Sequence, residues 1–179
     1  MQTETDLQYP IGKFHRHGLL TEALRHGYIE HIERMPERLR EAVSGLDDRQ
    51  LDTPYRPGGW TVRQVVHHLA DSHMNAYLRF KLALTEDNPL IKPYLEAKWA
   101  ELPDAKTGPV DASLNLLDAL HKRWVKTLRA MTPTEFSRTM RHPEWPEPMP
   151  LDDSLALYAW HGKHHTAQIT NLRQREGWL

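Results

Sequence analysis

The sequence predicts an all-α protein, a four-helix bundle with long connecting loops. Three observations carry this. Four stretches of about twenty residues place apolar side chains every three or four positions, each stripe keeps to one face, and no stretch alternates convincingly with the period of a strand. A helix with one apolar face must bury it, and four such faces can close around a shared core. A chain of 179 residues is read as one domain, 1–179, long enough to enclose that core.

Taken in order, residues 1–20 lack periodicity and contain Pro10 and Gly12, so an extended N-terminal arm lying on the body is expected. Thr21 suits an N-cap, and Leu24, Tyr28, Ile32, Met35, Leu39, Val43 and Leu46 follow as one helical stripe. Pro36 should kink or restart that helix, and Gly45 should end it. Asp47–Leu51 reads as a short helical turn, and Pro54, Pro57, Gly58 and Gly59 as a loop. Thr61 and Gln64 then form a capping box, with Trp60 able to pack back on the first turn, and the second long stripe runs Val62, Val65, Val66, Leu69, His73, Tyr77, Phe80, Leu84.

Residues 86–110 form a proline-rich connection with a short helix expected around Tyr94–Leu102; a connection of this length usually covers a site or a partner surface. Asp111 is read as the cap of the third long helix, with Leu114, Leu117, His121, Trp124, Leu128 and Met131 on its stripe. Thr132-Pro133-Thr134-Glu135 is a second capping box, and residues 138–150, with four prolines, are loop with at most a brief extended pair. Asp152 or Asp153 is read as the cap of the fourth long helix, which runs to about Glu176 before Gly177. The order of the helices in space is not legible. The connection at 86–110 can span the bundle, so an up-down-up-down arrangement is not required.

The formal net charge is −1 and no block of like charge occurs, which leaves no electrostatic footprint for nucleic acid or an anionic membrane. No segment reaches the ~18 apolar residues of a membrane span, and the opening residues Met1–Asp6 are polar, so a cytoplasmic protein is expected. Absence of cysteine removes disulfides, thiolate ligands and a cysteine nucleophile together.

Twelve histidines are the compositional anomaly. On the last helix His161 and His165 lie one turn apart on the face shared with Ser154, Tyr158, Ile169 and Leu172, so the side that must be buried carries two imidazoles within reach of one metal ion. The bland alternative is a pair of hydrogen-bonded core histidines. His164 points about a quarter turn away, and Trp160 further still. A third ligand must come from elsewhere, and periodicity does not select it: His73 falls mid-stripe on the second long helix, while His67 and His68 fall on opposite flanks.

The chain resembles the DinB/YfiT superfamily of small metal-dependent bundle proteins. The resemblance rests on Tyr9-Pro10-Ile11-Gly12, on Leu51-Asp52-Thr53-Pro54-Tyr55-Arg56, on the run from Gly58-Gly59-Trp60-Thr61 through His67-His68-Leu69-Ala70-Asp71 to Asn75, on Pro93-Tyr94, and on Trp160-His161 through His165. It implies a three-histidine divalent metal site of His68, His161 and His165; the selection of His68 over His67 and His73 comes from the resemblance alone. It also implies a homodimer in the cytoplasm.

Three neutral imidazoles leave a divalent ion with an open position, the arrangement of a catalytic site. Zinc is expected, with nickel also suited, and a water whose pKa falls to ~7 makes metal-dependent hydrolysis of a small-molecule substrate the expected activity. The His-x-x-x-His spacing carries Gly162 where zinc proteases place a glutamate base, so a base is unassigned; Asp71 is the nearest acidic candidate, and His73 and His121 are candidates to stand behind the ligands, with core packing the first reading because both sit on apolar stripes. A missing base suits a second chemistry, thiol S-transfer in the manner of the bacillithiol-transferase-like branch, where a substrate thiol is activated by the metal. A non-catalytic metal-binding dimer is the third reading.

Overall fold

A computed structural model, which describes residues 7–178, contains in chain order α1 (Glu22–Val43), α2 (Asp48–Leu51), α3 (Val62–Thr85), α4 (Glu96–Trp99), α5 (Pro103–Thr107), α6 (Val110–Ala130), α7 (Pro133–Phe136), β1 (Thr139–Met140), β2 (Met149–Pro150) and α8 (Leu151–Glu176). The long helices α1, α3, α6 and α8 form the bundle. The two short strands pair antiparallel, Thr139 with Pro150 and Met140 with Met149.

The helices do not follow one another round the bundle. α1 packs on α6 and α8, and α3 packs on the same two, which puts α1 diagonally across from α3 and α6 across from α8. Ion pairs fix the directions: Arg40 with Asp118 (2.6 Å) and Arg129 with Glu33 (2.6 Å) make α1 and α6 antiparallel. Arg25 with Asp152 at one end and Arg173 donating to Ala42 and Ser44 at the other make α1 and α8 parallel. The order is therefore up-down-down-up, and the connection from α3 to α6 travels the length of the bundle. Side chains pin it as it goes: Gln64 Nε2 donates to the Ala100 carbonyl (2.8 Å) and Arg63 to that of Gly108 (3.1 Å).

Local chemistry explains most boundaries. Thr21 caps α1 and the Thr61–Gln64 capping box opens α3, both through the expected side-chain hydrogen bonds. α6 and α8 begin at Val110 and Leu151, at least two residues before acidic caps would start them, with prolines at the capping positions. Asp111, Asp152 and Asp153 thus lie in first turns, where negative charge suits the helix dipole, and do not cap. The helix expected around Tyr94–Leu102 is α4, and a second short helix, α5, opened by Pro103, follows it beyond that range.

Of the arm expected at 1–20, residues 1–6 lie outside the described residues. Residues 9–20 are held on α8: Asp153 accepts from the Arg16 side chain and the amides of His17 and Gly18, and Asp152 accepts from the amide of Leu20.

Pro36 sits inside a continuous α1. Its missing N–H frees the carbonyl four residues back, that of Ile32, for another donor. His121 Nδ1, reaching across from α6, takes it at 2.6 Å.

The core divides into two apolar clusters, one around Ile32, Phe80, Trp124 and Leu155 and one around Leu39, Val66, Leu117 and Ile169. Between them α3, α6 and α8 contribute a buried layer of imidazoles, His68, His73, His121 and His165 among them. Such a layer is costly unless every ring is hydrogen-bonded or ligating.

Candidate metal centre

α3 and α8 run antiparallel, and each turns one stripe toward the other. On α3, His68, Ser72 and Arg79 fall within about 40° of one another by helical periodicity, and on α8 Tyr158, His161 and His165 share a face. His68 Nε2 and His161 Nε2 are 3.3 Å apart. One ring nitrogen from each of His68, His161 and His165 lies within 4.8 Å of the other two, and no fourth histidine, aspartate or glutamate joins the group among the described residues. Two nitrogens bound to one tetrahedral zinc at ~2.0–2.1 Å are themselves ~3.3 Å apart, so the donor set fits a divalent ion with little movement.

The two histidines that sequence left open as third donors face elsewhere. His67 turns toward α6, with Nδ1 2.8 Å from Ser113 Oγ and Nε2 donating to the Gly108 carbonyl at 3.2 Å. His73 lies on the far side of His161, its Nε2 3.4 Å from His161 Nδ1.

That last contact belongs to a chain whose proton positions can be deduced. A carbonyl only accepts, so His121 Nδ1 carries the proton that meets Ile32. A neutral His121 then accepts at Nε2, and His73 Nδ1, 2.9 Å away, must be the donor. His73 Nε2 is left with a lone pair, which accepts from His161 Nδ1. The outcome is a lone pair on His161 Nε2, aimed at the cluster. His165 reaches the same state by another route. Gln168 Nε2 donates to the Gln8 carbonyl (3.0 Å), which orients the amide so that Oε1 accepts from His165 Nδ1 (2.8 Å) and leaves His165 Nε2 free. Outer hydrogen bonds of this kind orient metal-ligating imidazoles and fix their tautomers. Both α8 histidines are held as donors of electron pairs before any ion arrives.

Replacing His73 by leucine should undo one half of this. In long-range ¹H–¹⁵N spectra of the metal-free protein, His161 is expected as a single Nδ1–H tautomer in the parent and as a mixture in the variant. Stability should fall by about 1–3 kcal/mol, because His121 and His161 each lose a buried partner. An unchanged His161 spectrum would remove His73 from the chain.

A sequence profile of the DinB superfamily matches residues 31–169. The chain belongs to the DinB superfamily. A relative from Bacillus mycoides (strain KBAB4), named provisionally as a metal-dependent hydrolase, is 58% identical over 173 residues, covering 97% of this chain and 99% of its own. One from Bacillus cereus (strain B4264), named in the same way, matches with the same identity and coverage. The structure of YfiT from Bacillus subtilis, described provisionally as a metal-dependent hydrolase with an unusual four-helix bundle topology, superposes with a TM-score of 0.95 at 50% identity, over 97% of this chain and 99% of that one.

In this DinB protein burial keeps the cluster neutral. It holds the His68 imidazole down at about 4, and pushes His161 and His165 well below the ordinary histidine range, with neighbouring imidazoles adding to the effect. Neutral rings at pH 7 are the ligating form. Gly162, where zinc proteases have a base, is explained by packing: a Cβ there would lie 2.7 Å from Met35 Cγ, so the glycine lets α8 approach α1.

The cluster opens into a cavity of about 530 Å³. Tyr55, Arg56, Gly58, Gly59 and Trp60 line it from the loop before α3, and Pro93, Tyr94 and Glu96 from the long connection. Trp60 packs on the His68 ring at 4.6 Å between centroids.

Sequence reasoning missed several walls of this DinB cavity. His142, Glu144 and Trp145 enter from the loop between β1 and β2, Gln8 and Tyr9 from the arm, and Arg79 from α3. The periodicity of α3 places Arg79 three turns beyond His68 on the same face, a signal available in the sequence and passed over. Trp160, by contrast, does not line the cavity; it stacks on His164 at 4.5 Å and donates to the Gly12 carbonyl at 3.2 Å. His164 is buried beneath it and accepts from Gln168 Nε2 at 3.1 Å. Asp71 is not a cavity residue either. Burial pushes its carboxyl up to about 6, helped by the charge of Asp104.

Proposed function

We propose that this chain is a metal-dependent hydrolase of small-molecule substrates, in which His68, His161 and His165 hold one divalent ion, zinc by preference and nickel as a second fit. The observation that carries the reading is the meeting of three neutral imidazoles from two helices, two of them with lone pairs set by outer hydrogen bonds, at the wall of an open cavity. The provisional names of the relatives point the same way. A divalent ion held there would supply Lewis acidity and would lower the pKa of water toward ~7. The chain's own residues bind and shelter: Trp60, Tyr94, Trp145 and Tyr158 give an aromatic wall against which an organic substrate can pack, while His161 and His165 keep their protons on the side away from the ion.

One observation favours a second reading, thiol S-transfer. None of the three histidines has a carboxylate hydrogen-bond partner among the described residues, and a thiol activated by the ion requires no protein base. Lacking cysteine, the chain would take its sulfur from a low-molecular-weight thiol.

The deciding experiment compares ester and amide panels with electrophile consumption under added thiol, on protein purified without a histidine tag and with zinc restored. Hydrolysis that needs zinc and no thiol is the expected result. Turnover that appears only with thiol would move the assignment to transferase. Zinc bound at one ion per chain with turnover in neither assay would favour a non-catalytic metal protein. We propose further that residues 1–179 act as one domain, that the chain works as a cytoplasmic homodimer, and that light scattering of the purified protein will give twice the chain mass of 20.9 kDa. Among the described residues no helix is long and apolar enough to cross a membrane.

A further inference from the structure

Arg79 is a buried cation of the cavity that the hydrolytic reading leaves unused. It is 8% exposed, it lines the same cavity as His68 and His161, and it makes no ion pair among the described residues. Its hydrogen bond to Tyr158 Oη is long, at 3.4 Å, and its Nε is buried with no partner. The other arginine buried to this degree shows what is missing. Arg63, 5% exposed, is met by Asp52 at 2.6 Å, Asp48 at 2.8 Å and the Gly108 carbonyl. A guanidinium withdrawn from water without a counter-charge costs several kcal/mol in general, and that cost is recovered when an anion arrives. Tyr158 holds Arg79 on one side, and His142, stacked on Trp145 at 4.4 Å, lines the same cavity from the β1–β2 loop.

We propose that Arg79 is the binding site for a carboxylate of the substrate, so that the protein acts on anionic small molecules. The inference rests on the reading of the histidine cavity as a metal-dependent active site, and it adds the class of substrate. Geometry supplies a ruler. Arg79 follows His68 by eleven residues on the same face of α3, about 16 Å along the axis, and a long helical side chain leans back toward the N-terminus, which leaves the guanidinium on the order of 10 Å from the three imidazoles. A substrate that reaches both carries its carboxylate several bonds from the group that reacts. Carboxylate is favoured over phosphate on charge: Glu96 and Glu144 line the same cavity, and they repel a dianion more than a monoanion. A planar carboxylate also matches the flat guanidinium fork.

The test needs no knowledge of the natural substrate. The Arg79 Nε–H resonance is identified in ¹H–¹⁵N spectra by its loss in Arg79→Gln, and the metal-free parent is titrated with butyrate, with neutral butyramide and with inorganic phosphate. Butyrate is expected to move that resonance saturably within roughly tens of millimolar, as a single charge-assisted contact would. Butyramide should leave it in place. Arg79→Lys, which keeps the charge and loses the fork, should bind butyrate at least ~10-fold more weakly, read from the shifts of neighbouring cavity amides. A resonance unmoved by butyrate, or moved equally by butyramide, would overturn the proposal. Phosphate binding ~10-fold tighter than butyrate would overturn the choice of carboxylate. Zinc stoichiometry measured on the same samples separates the two readings: butyrate bound at Arg79 in a chain that takes no zinc would sink the metal site and leave the anion site standing, and zinc bound without butyrate would do the reverse.

Discussion

Alanine in place of His161 is expected to strip the protein of its divalent ion and of all metal-dependent turnover. His161 is the hinge of the cluster: its Nε2 stands 3.3 Å from His68 Nε2, and its Nδ1 receives the chain that starts at the Ile32 carbonyl. The substitution removes a proposed ligand and leaves His73 Nε2 without its donor. Two imidazoles on different helices remain, and we expect zinc affinity, measured by competition with a chromophoric chelator, to fall by at least ~100-fold. His68→Ala and His165→Ala should each lose at least ~10-fold. His67→Ala is the control, because His67 is engaged with Ser113 and Gly108, and it should keep one ion per chain. Full occupancy surviving in His68→Ala would sink the ligand set.

The second large effect concerns folding. Asp152 is fully buried and accepts from both Arg25 Nε and Nη2 at 2.7 Å and from the Leu20 amide at 3.0 Å. Removing one partner of a buried, doubly hydrogen-bonded pair strands the other and costs about 3–5 kcal/mol. For a chain of this length Asp152→Ala should lower the melting temperature by roughly 10 °C in thermal unfolding of the metal-free protein. Asp153→Ala should cost less, about 1 kcal/mol, since its partner Arg16 is 42% exposed and water can take the place of the carboxylate. Equal losses in the two variants would contradict the view that burial sets the difference. Asp152→Ala should also loosen the arm, and with it the carbonyl of Gln8 that orients Gln168 behind His165.

Much of the bundle was legible because its signals are local. Thr21, the Thr61–Gln64 box and the Thr132–Glu135 box announce helix starts through hydrogen bonds made within three residues, and apolar spacing marks each buried face. The pairing of His161 with His165 was legible for the same reason. The third member of the cluster was not legible from spacing and came from the resemblance alone: His68 lies on the flank of its stripe, and only the approach of α8, ninety-three residues on, turns that flank inward. Reading His73 and His121 first as core was correct about burial; a place behind the ligands stayed open as the alternative, since nothing in the spacing tells that a ring on α6 will find a carbonyl on α1. The diagonal placement of α1 and α3 and the cavity walls from the β1–β2 loop depend on the same long-range packing.

Position 36 carries the last lesson. A proline in the middle of a helix is ordinarily counted as a defect, yet here the acceptor it vacates is where the ordering of three imidazoles begins. Residues 36 and 121 are thus one structural unit although they perform different tasks. A variant with an amide hydrogen at the first would set it in competition with the imidazole at the second, and the disturbance would be felt at the histidine cluster by way of side chains that lie outside it.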